Sequence, residues 1–298
     1  MRDNFIETID GLPPHIINEL EKSVAKIMNA SGMFYRLFGR KKSGSTSSEK
    51  IYIKKYDANK KLQDLFGIRI ALYFKDDVSI CKSIITEKFR VDNIAQDEED
   101  NEHFKPTRLN IVCKIPEDIK RSIPSIIWED YPIDDTFEIQ IRTVFSEGWH
   151  EIEHDLRYKC KEDWKNELEM DRALNGIFAT LETCDWSILT MFDNLAYKMY
   201  QKDNWTAMLR NKFRIRFVSK DIDQNILELF NKDKNFAKDF LKIDRKAVIL
   251  IVCKDEFSAY CKSYDNLIYL INALFIKNSE LLEMTPAPML ESCSNVDV

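Results

Sequence analysis

The chain has 298 residues, room for one large domain or two ordinary ones, and it is 44% hydrophobic and 32% charged, the profile of a globular protein with a real core. Seven glycines and eight prolines leave little material for a Gly-rich dinucleotide or Walker loop or for long flexible linkers. A net charge of −6 excludes a general nucleic-acid binder, though not a local basic patch.

Seven scattered cysteines, odd in number and never spaced Cys-x-x-Cys, argue against a disulfide framework or cysteine zinc site and for a reducing, cytoplasmic setting. The N-terminus carries Arg2, Asp3 and Glu7 with no apolar stretch, so no signal peptide is expected. The longest apolar run, Ala247–Cys253, is far too short to cross a membrane.

In chain order, Ile16, Ile17, Leu20, Val24 and Ile27 predict a helix over His15–Ala30, after Pro13-Pro14. Phe34–Phe38 reads as a strand, Arg40–Lys50 as a basic serine-rich loop, and Ile51–Leu65 as a helix. Gly67 breaks that pattern, Ile68–Phe74 follows as a buried strand and Val78–Lys88 as a helix. Phe89–Ile94 and Leu109–Ile115 are strand-like about an acidic turn, Asp97–Glu102, and Pro116–Pro132 is loop-rich with a short helix. Phe137–Val144 alternates, and Phe145–Cys160 is amphipathic. Beyond Trp164 the expectation is a long helix over Leu174–Tyr200, a strand over Phe213–Val218, helices over Asp223–Phe230 and Lys234–Leu241, a strand over Ala247–Cys253, a helix over Tyr264–Phe275, and a disordered tail after Glu283. The fold class is α+β: a mixed sheet flanked by helices over 1–163, then a mainly helical accessory domain over 164–298.

The most informative stretch is Phe137–Lys159. Its strand shows Glu138, Gln140 and Arg142 on one face, roughly 7 Å apart. Its helix aligns Trp149, Glu153 and Arg157 by i, i+4 spacing, with His150 and His154 on a neighbouring face. An acid, an amide and a guanidinium in a row need a polar partner; the plain alternative is a solvent-facing sheet edge. His150-Glu151-Ile152-Glu153-His154 also fits the H-E-x-x-H zinc-protease pattern, but no extended ligand signature follows, and two histidines on a helix surface is the preferred reading.

The string Phe-Glu-Ile-Gln-Ile-Arg-Thr (137–143), then Trp149, then Ile-Glu-His-Asp-Leu-Arg-Tyr-Lys (152–159), closely resembles the signature of RelA/SpoT-family (p)ppGpp synthetases. Asp64-Leu65-Phe66-Gly67-Ile68-Arg69-Ile70 resembles the family's D-L-x-G-I-R-I, and Arg40, Lys42, Ser43, Thr46 and Lys50 resemble its basic, serine-rich ATP loop, with Thr46 in place of a serine. The segments come in the family's order and span roughly 15–160. The resemblance implies a nucleotidyltransferase-like sheet, ATP as donor and Mg²⁺ as cofactor. Asp64 and Glu138 would be metal ligands and catalytic residues, with Glu138 also a candidate base. Arg40, Lys42, Ser43, Thr46, Lys50 and Arg69 would bind ATP and its phosphates, and Gln140, Arg142, His154 and Lys159 would shape the acceptor side. Mg²⁺ suits this set, since it takes hard carboxylates and phosphate oxygens.

The acceptor segment departs from the family. Where relatives carry G-Y-x-S-x-H, this chain has His103-Phe104-Lys105-Pro106-Thr107-Arg108-Leu109-Asn110. Asn110 falls at the histidine position and Pro106 at the tyrosine position, and a shifted alignment makes Phe104 the stacking ring. The implied reaction is pyrophosphate transfer from ATP to a 3′-hydroxyl, with GDP or GTP the first acceptor. The alternatives are a toxin-type acceptor (an adenine nucleotide or the tRNA 3′ end) and a degenerate nucleotide-sensing module. Arg210, Lys212, Arg214 and Arg216 would face tRNA from a strand, although an ordinary solvated face fits them as well. Nothing resembling the family's HD hydrolase half precedes His15. The accessory domain fits oligomerisation, sensing or self-inhibition.

Overall fold

The structure, a computed structural model, describes residues 2–97, 108–218, 221–257, 260 and 262–296. These fall into two compact units. The first draws on Met1–Ile27, Tyr35–Tyr73 and Cys81–Asp185, the second on Met28–Phe34, Phe74–Ile80 and Trp186–Val298. No described helix is long and apolar enough to cross a membrane.

In chain order the elements begin with helices α1 (Arg2–Asp10) and α2 (His15–Ser31), strand β1 (Tyr35–Lys41), helix α3 (Gly44–Lys54) and strand β2 (Phe66–Leu72). Helix α4 (Asp76–Lys88), strands β3 (Val91–Gln96) and β4 (Leu109–Lys114), and short helices α5 (Glu117–Lys120) and α6 (Ile126–Glu129) follow. Strand β5 (Thr136–Thr143) then runs into helix α7 (Val144–Ile152), a π-helical turn (Glu153–Tyr158) and the long helix α8 (Leu168–Gln201). The five strands form a mixed sheet in the order β1-β2-β5-β4-β3, antiparallel except for the central β2–β5 pair. This is the expected α+β sheet.

Alternation decides the two faces. Ile68, Ile70, Ile111, Ile139 and Ile141 are buried, which leaves Gly67, Arg69, Asn110, Glu138, Gln140 and Arg142 on the other side. Register then aligns these polar positions across strands. Phe38 pairs with Arg69, Arg69 with Gln140 and Gln140 with Asn110; Arg40 pairs with Gly67 and Gly67 with Glu138.

The segment expected as a loop over Arg40–Lys50 and a helix over Ile51–Leu65 is a strand end followed by a helix. Ser43 caps α3 by accepting from the Thr46 amide at 3.2 Å, and Lys55, at φ 52°, closes it. Serine-rich sequence marked a helix start, not a loop. Helix α7 likewise opens on a reciprocal cap between Thr143 and Ser146, and the helical path of Phe145–Cys160 changes to π geometry at Glu153.

The second unit is helical, as expected: α9 (Trp205–Phe213), α10 (Gln224–Lys232), α11 (Lys234–Lys242), α12 (Arg245–Val252), α13 (Tyr264–Ile271), α14 (Ser279–Met284) and α15 (Ala287–Ser294). Phe230, Phe236 and Phe240 pack ring to ring with centroids 5.2–5.5 Å apart and form one focus of its core. Neither expected strand forms here. Phe213 ends α9 and Arg214 takes a left-handed conformation at φ 47°. Arg214 is buried, reaches Asp193 at 3.3 Å and pairs with Asp76, so the four basic residues do not share a strand face. Ala247–Val252 lies in α12, capped by Asp244, and Cys253 follows its end; an unbroken apolar run cannot tell a buried helix from a buried strand. The tail expected to be disordered forms α15, which buries Met289 and Cys293, four residues apart.

Candidate active site

The polar face of the sheet floors an open cleft of about 190 Å³. Arg40, Lys42, Asp64, Arg69, Glu138 and Gln140 line it. Residues some 100 positions apart thus meet because β2 and β5 are neighbours and because the backbone amide of Lys42 bonds the carbonyl of Leu65 at 2.9 Å, pinning the end of β1 beside Asp64.

Asp64 is the focus of one end. Its Oδ2 accepts from Lys42 and, at 2.6 Å, from Lys50, while its buried Oδ1 has no hydrogen-bond partner. Burial works against the carboxylate, but the two ammonium groups outweigh it and hold its pKa below the ordinary value. Burial lowers the pKa of Lys42. Lys50 feels the same penalty, yet its bond to Asp64 prevails and raises its pKa. Arg40 is exposed on the rim and makes no side-chain bond among the described residues. Ser43 and Thr46 occupy the first turn of α3, joined hydroxyl to hydroxyl at 2.9 Å. This turn is anchored from behind, where the Gly44 amide donates to Asp10 Oδ1 at 2.7 Å.

Glu138 stands in the middle of the floor. Its Oε1 accepts from Asn110 Nδ2 at 2.8 Å and its Oε2 from Gln140 Nε2 at 2.6 Å, which fixes the carboxylate's plane. Between Glu138 and Arg40 in the register lies Gly67. A methyl there would meet only Arg40 Cγ, at 3.9 Å, so packing does not require glycine; its missing side chain keeps the floor low.

At the other end, Arg69 donates Nε to Gln140 at 3.3 Å and pairs through Nη1 with Glu147 and Glu151; Arg142 pairs with Glu147 at 3.0 Å. Glu147 escaped the sequence reading and Glu151 entered it only through the H-E-x-x-H pattern, although their i, i+4 spacing on α7 was the signal. His150 is pushed down to about 4 by burial and by the charges of Arg142 and Arg69. His154 and Lys159 are not part of the cleft lining. Both engage Asp155 on an exposed surface, at 3.0 and 2.6 Å. His150 and His154 stack with centroids 5.9 Å apart, and the H-E-x-x-H glutamate, Glu151, is taken by Arg69. Phe104 lies outside the described residues.

Residues 39–163 match the model of a family described as a region found in RelA / SpoT proteins. This segment is a RelA/SpoT-type region. The match takes in Arg40 through Glu151, and so nearly the whole cleft lining. No curated protein matches the chain. Among solved structures, the small alarmone synthetase 1 from Bacillus subtilis is 20% identical, covering 63% of this chain and 94% of its own, with a TM-score of 0.47. The same protein bound to its product pppGpp gives 20% identity, 63% and 95% coverage and a TM-score of 0.45. A GTP pyrophosphokinase family protein from Streptococcus pneumoniae gives 18%, 65% and 92%, and 0.45. The RelA/SpoT domain's own side chains therefore carry the reading of the site.

Proposed function

We propose that this cleft transfers the β,γ-pyrophosphate of ATP to the 3′-hydroxyl of a nucleotide acceptor, GDP or GTP first among them. The observation that carries the reading is the cluster at Asp64: a half-buried carboxylate with two lysines on one oxygen and none on the other, on the same cleft as a second, well-held carboxylate, Glu138. Lysines that offset a single carboxylate are available to a polyphosphate chain, and Arg40 adds an unpaired cation at the rim.

The unpartnered Asp64 Oδ1 and the hard oxygen donors of Asp64 and Glu138 fit a divalent cation, Mg²⁺ in this reading. Bound there, it would supply charge neutralisation for the transferring phosphates. Lys42, Lys50 and Arg40 hold the triphosphate, with Ser43 and Thr46 at the α3 terminus. The acceptor hydroxyl attacks Pβ, the bond from Pβ to the α-phosphate oxygen breaks, and AMP leaves. Glu138, oriented by Asn110 and Gln140, takes the hydroxyl proton.

Incubation with labelled ATP, Mg²⁺ and GDP, GTP, ATP or tRNA tests the proposal. The expected result is AMP together with a pyrophosphorylated acceptor, both strongly reduced by Asp64→Asn. No AMP with any acceptor would sink it.

A further inference from the structure

Arg69 is the cleft cation nearest the centre of the sheet, yet it faces two acids. Glu147 is buried and shared with Arg142, with 12% of its side chain exposed, so it is fixed scaffolding. Glu151 is different. It sits near the end of α7, half exposed at 51%, lines the cleft, and its carboxylate bonds the same Arg69 nitrogen, Nη1. The two arginines of this end, Arg69 and Arg142, are matched by two acids, whereas at the opposite end Lys42 and Lys50 share the single acid Asp64 and Arg40 pairs with none among the described residues.

We propose that Glu151 is a specificity-determining gate: it masks Arg69 in the ligand-free cleft, and a phosphate-bearing ligand gains Arg69 only by displacing it. The inference rests on the nucleotide-binding reading above. Glu147 and Gln140 hold the guanidinium in place throughout, and rotation of the exposed Glu151 side chain uncovers one Nη1–H toward the cleft. A ligand whose phosphate does not reach Arg69 gains nothing from that exchange, so the gate discriminates between ligands by where their charge lies. It also assigns a use to the one acid of the H-E-x-x-H run that faces the cleft.

Calorimetric titration of the full chain with a non-hydrolysable ATP analogue, and separately with inorganic pyrophosphate, tests this. Glu151→Gln is expected to tighten at least one probe about fivefold, the size of one exposed ion pair. The gain should vanish in an Arg69→Gln background, and Asp155→Asn, an acid on the same helical path outside the cleft, should give none. No tightening by Glu151→Gln overturns the gate, and so does equal tightening in the Arg69→Gln background or by Asp155→Asn, since each would mean a general field effect. If neither probe binds the native chain or any variant, the nucleotide reading falls and the gate falls with it. If both probes bind and only the Glu151 effect is missing, the gate alone is wrong.

Discussion

Lys50 Nζ stands 2.6 Å from Asp64 Oδ2, the oxygen that Lys42 also engages, while buried Asp64 Oδ1 has no partner. The carboxylate thus offsets two cations with one oxygen and leaves the other for a ligand. Asp64→Asn keeps the shape and removes the charge. Pyrophosphate transfer should fall by about two orders of magnitude or more, the scale of losing one strong electrostatic contact in a transition state. Binding of an ATP analogue without added metal should hold or tighten, because Lys42 and Lys50 lose their competitor. Turnover assays beside metal-free titration check both halves; a weaker metal-free complex would mean that Asp64 serves only to position the lysines.

Gly67 separates a folding requirement from a binding one. A Cβ there meets no protein atom within 4 Å except Arg40 Cγ, at 3.9 Å, and β-branched residues suit an inner strand. Gly67→Val should therefore melt at the same temperature or higher, since glycine in a strand costs about 0.5–1 kcal/mol. Its side chain would rise between Arg40 and Glu138, and affinity for the ATP analogue should drop at least about tenfold. Unchanged affinity in a stable variant would place the ligand elsewhere.

The two strands at the centre of the sheet were legible as strands, Phe137–Val144 from its alternation and Ile68–Phe74 as a buried, mostly apolar run, but their parallel pairing was not, because it depends on which strands become neighbours. That Arg40, Lys42, Asp64 and Glu138 share one cleft was legible for a different reason, the order of three short motifs. What failed were segments where pattern is degenerate. Ala247–Val252 is apolar at every position, and only the Asp244 cap distinguishes helix from strand. Arg214 looked like one of a basic row, but a left-handed turn carries it to Asp76 and Asp193. Tertiary pairings of this kind leave no local trace, and neither does the masking of Arg69 by acids some 80 residues away.

Gly44 makes the opposite case to Gly67. A Cβ there would lie 2.5 Å from the carbonyl oxygen of Ile6 and 2.7 Å from its Cα, both backbone atoms of α1. Gly44→Ala must push α1 from α3 or strain the turn that carries Ser43 and Thr46, at a cost of about 1–3 kcal/mol. Urea unfolding should show the loss as a lower midpoint. Gly148→Ala is the control: nothing lies within 4 Å of its Cβ, and alanine in a helix should be neutral or stabilising.

His150 gives the molecule a pH dependence with a definite sign. Burial, with Arg142 and Arg69 nearby, pushes its pKa from the ordinary 6.5 down to about 4, so the folded chain keeps it neutral while the unfolded chain protonates it. Between those values the unfolded state binds more protons, and stability rises with pH across the window. Acidifying from pH 6.5 to 4 should therefore lower the urea midpoint progressively, and His150→Gln should flatten that slope. The carboxylate of Asp64, held below its ordinary range, acts in a lower window, losing its contribution as pH falls through its folded pKa beneath 3.8. A slope between pH 4 and 6.5 that survives His150→Gln would show that the imidazole titrates normally and is not shielded by the arginine pair. A His150 ring resonance titrating near 4 by NMR, and moving further down in Glu151→Gln, where Arg69 has lost an acid, would tie the histidine to the same charge network that holds Arg69.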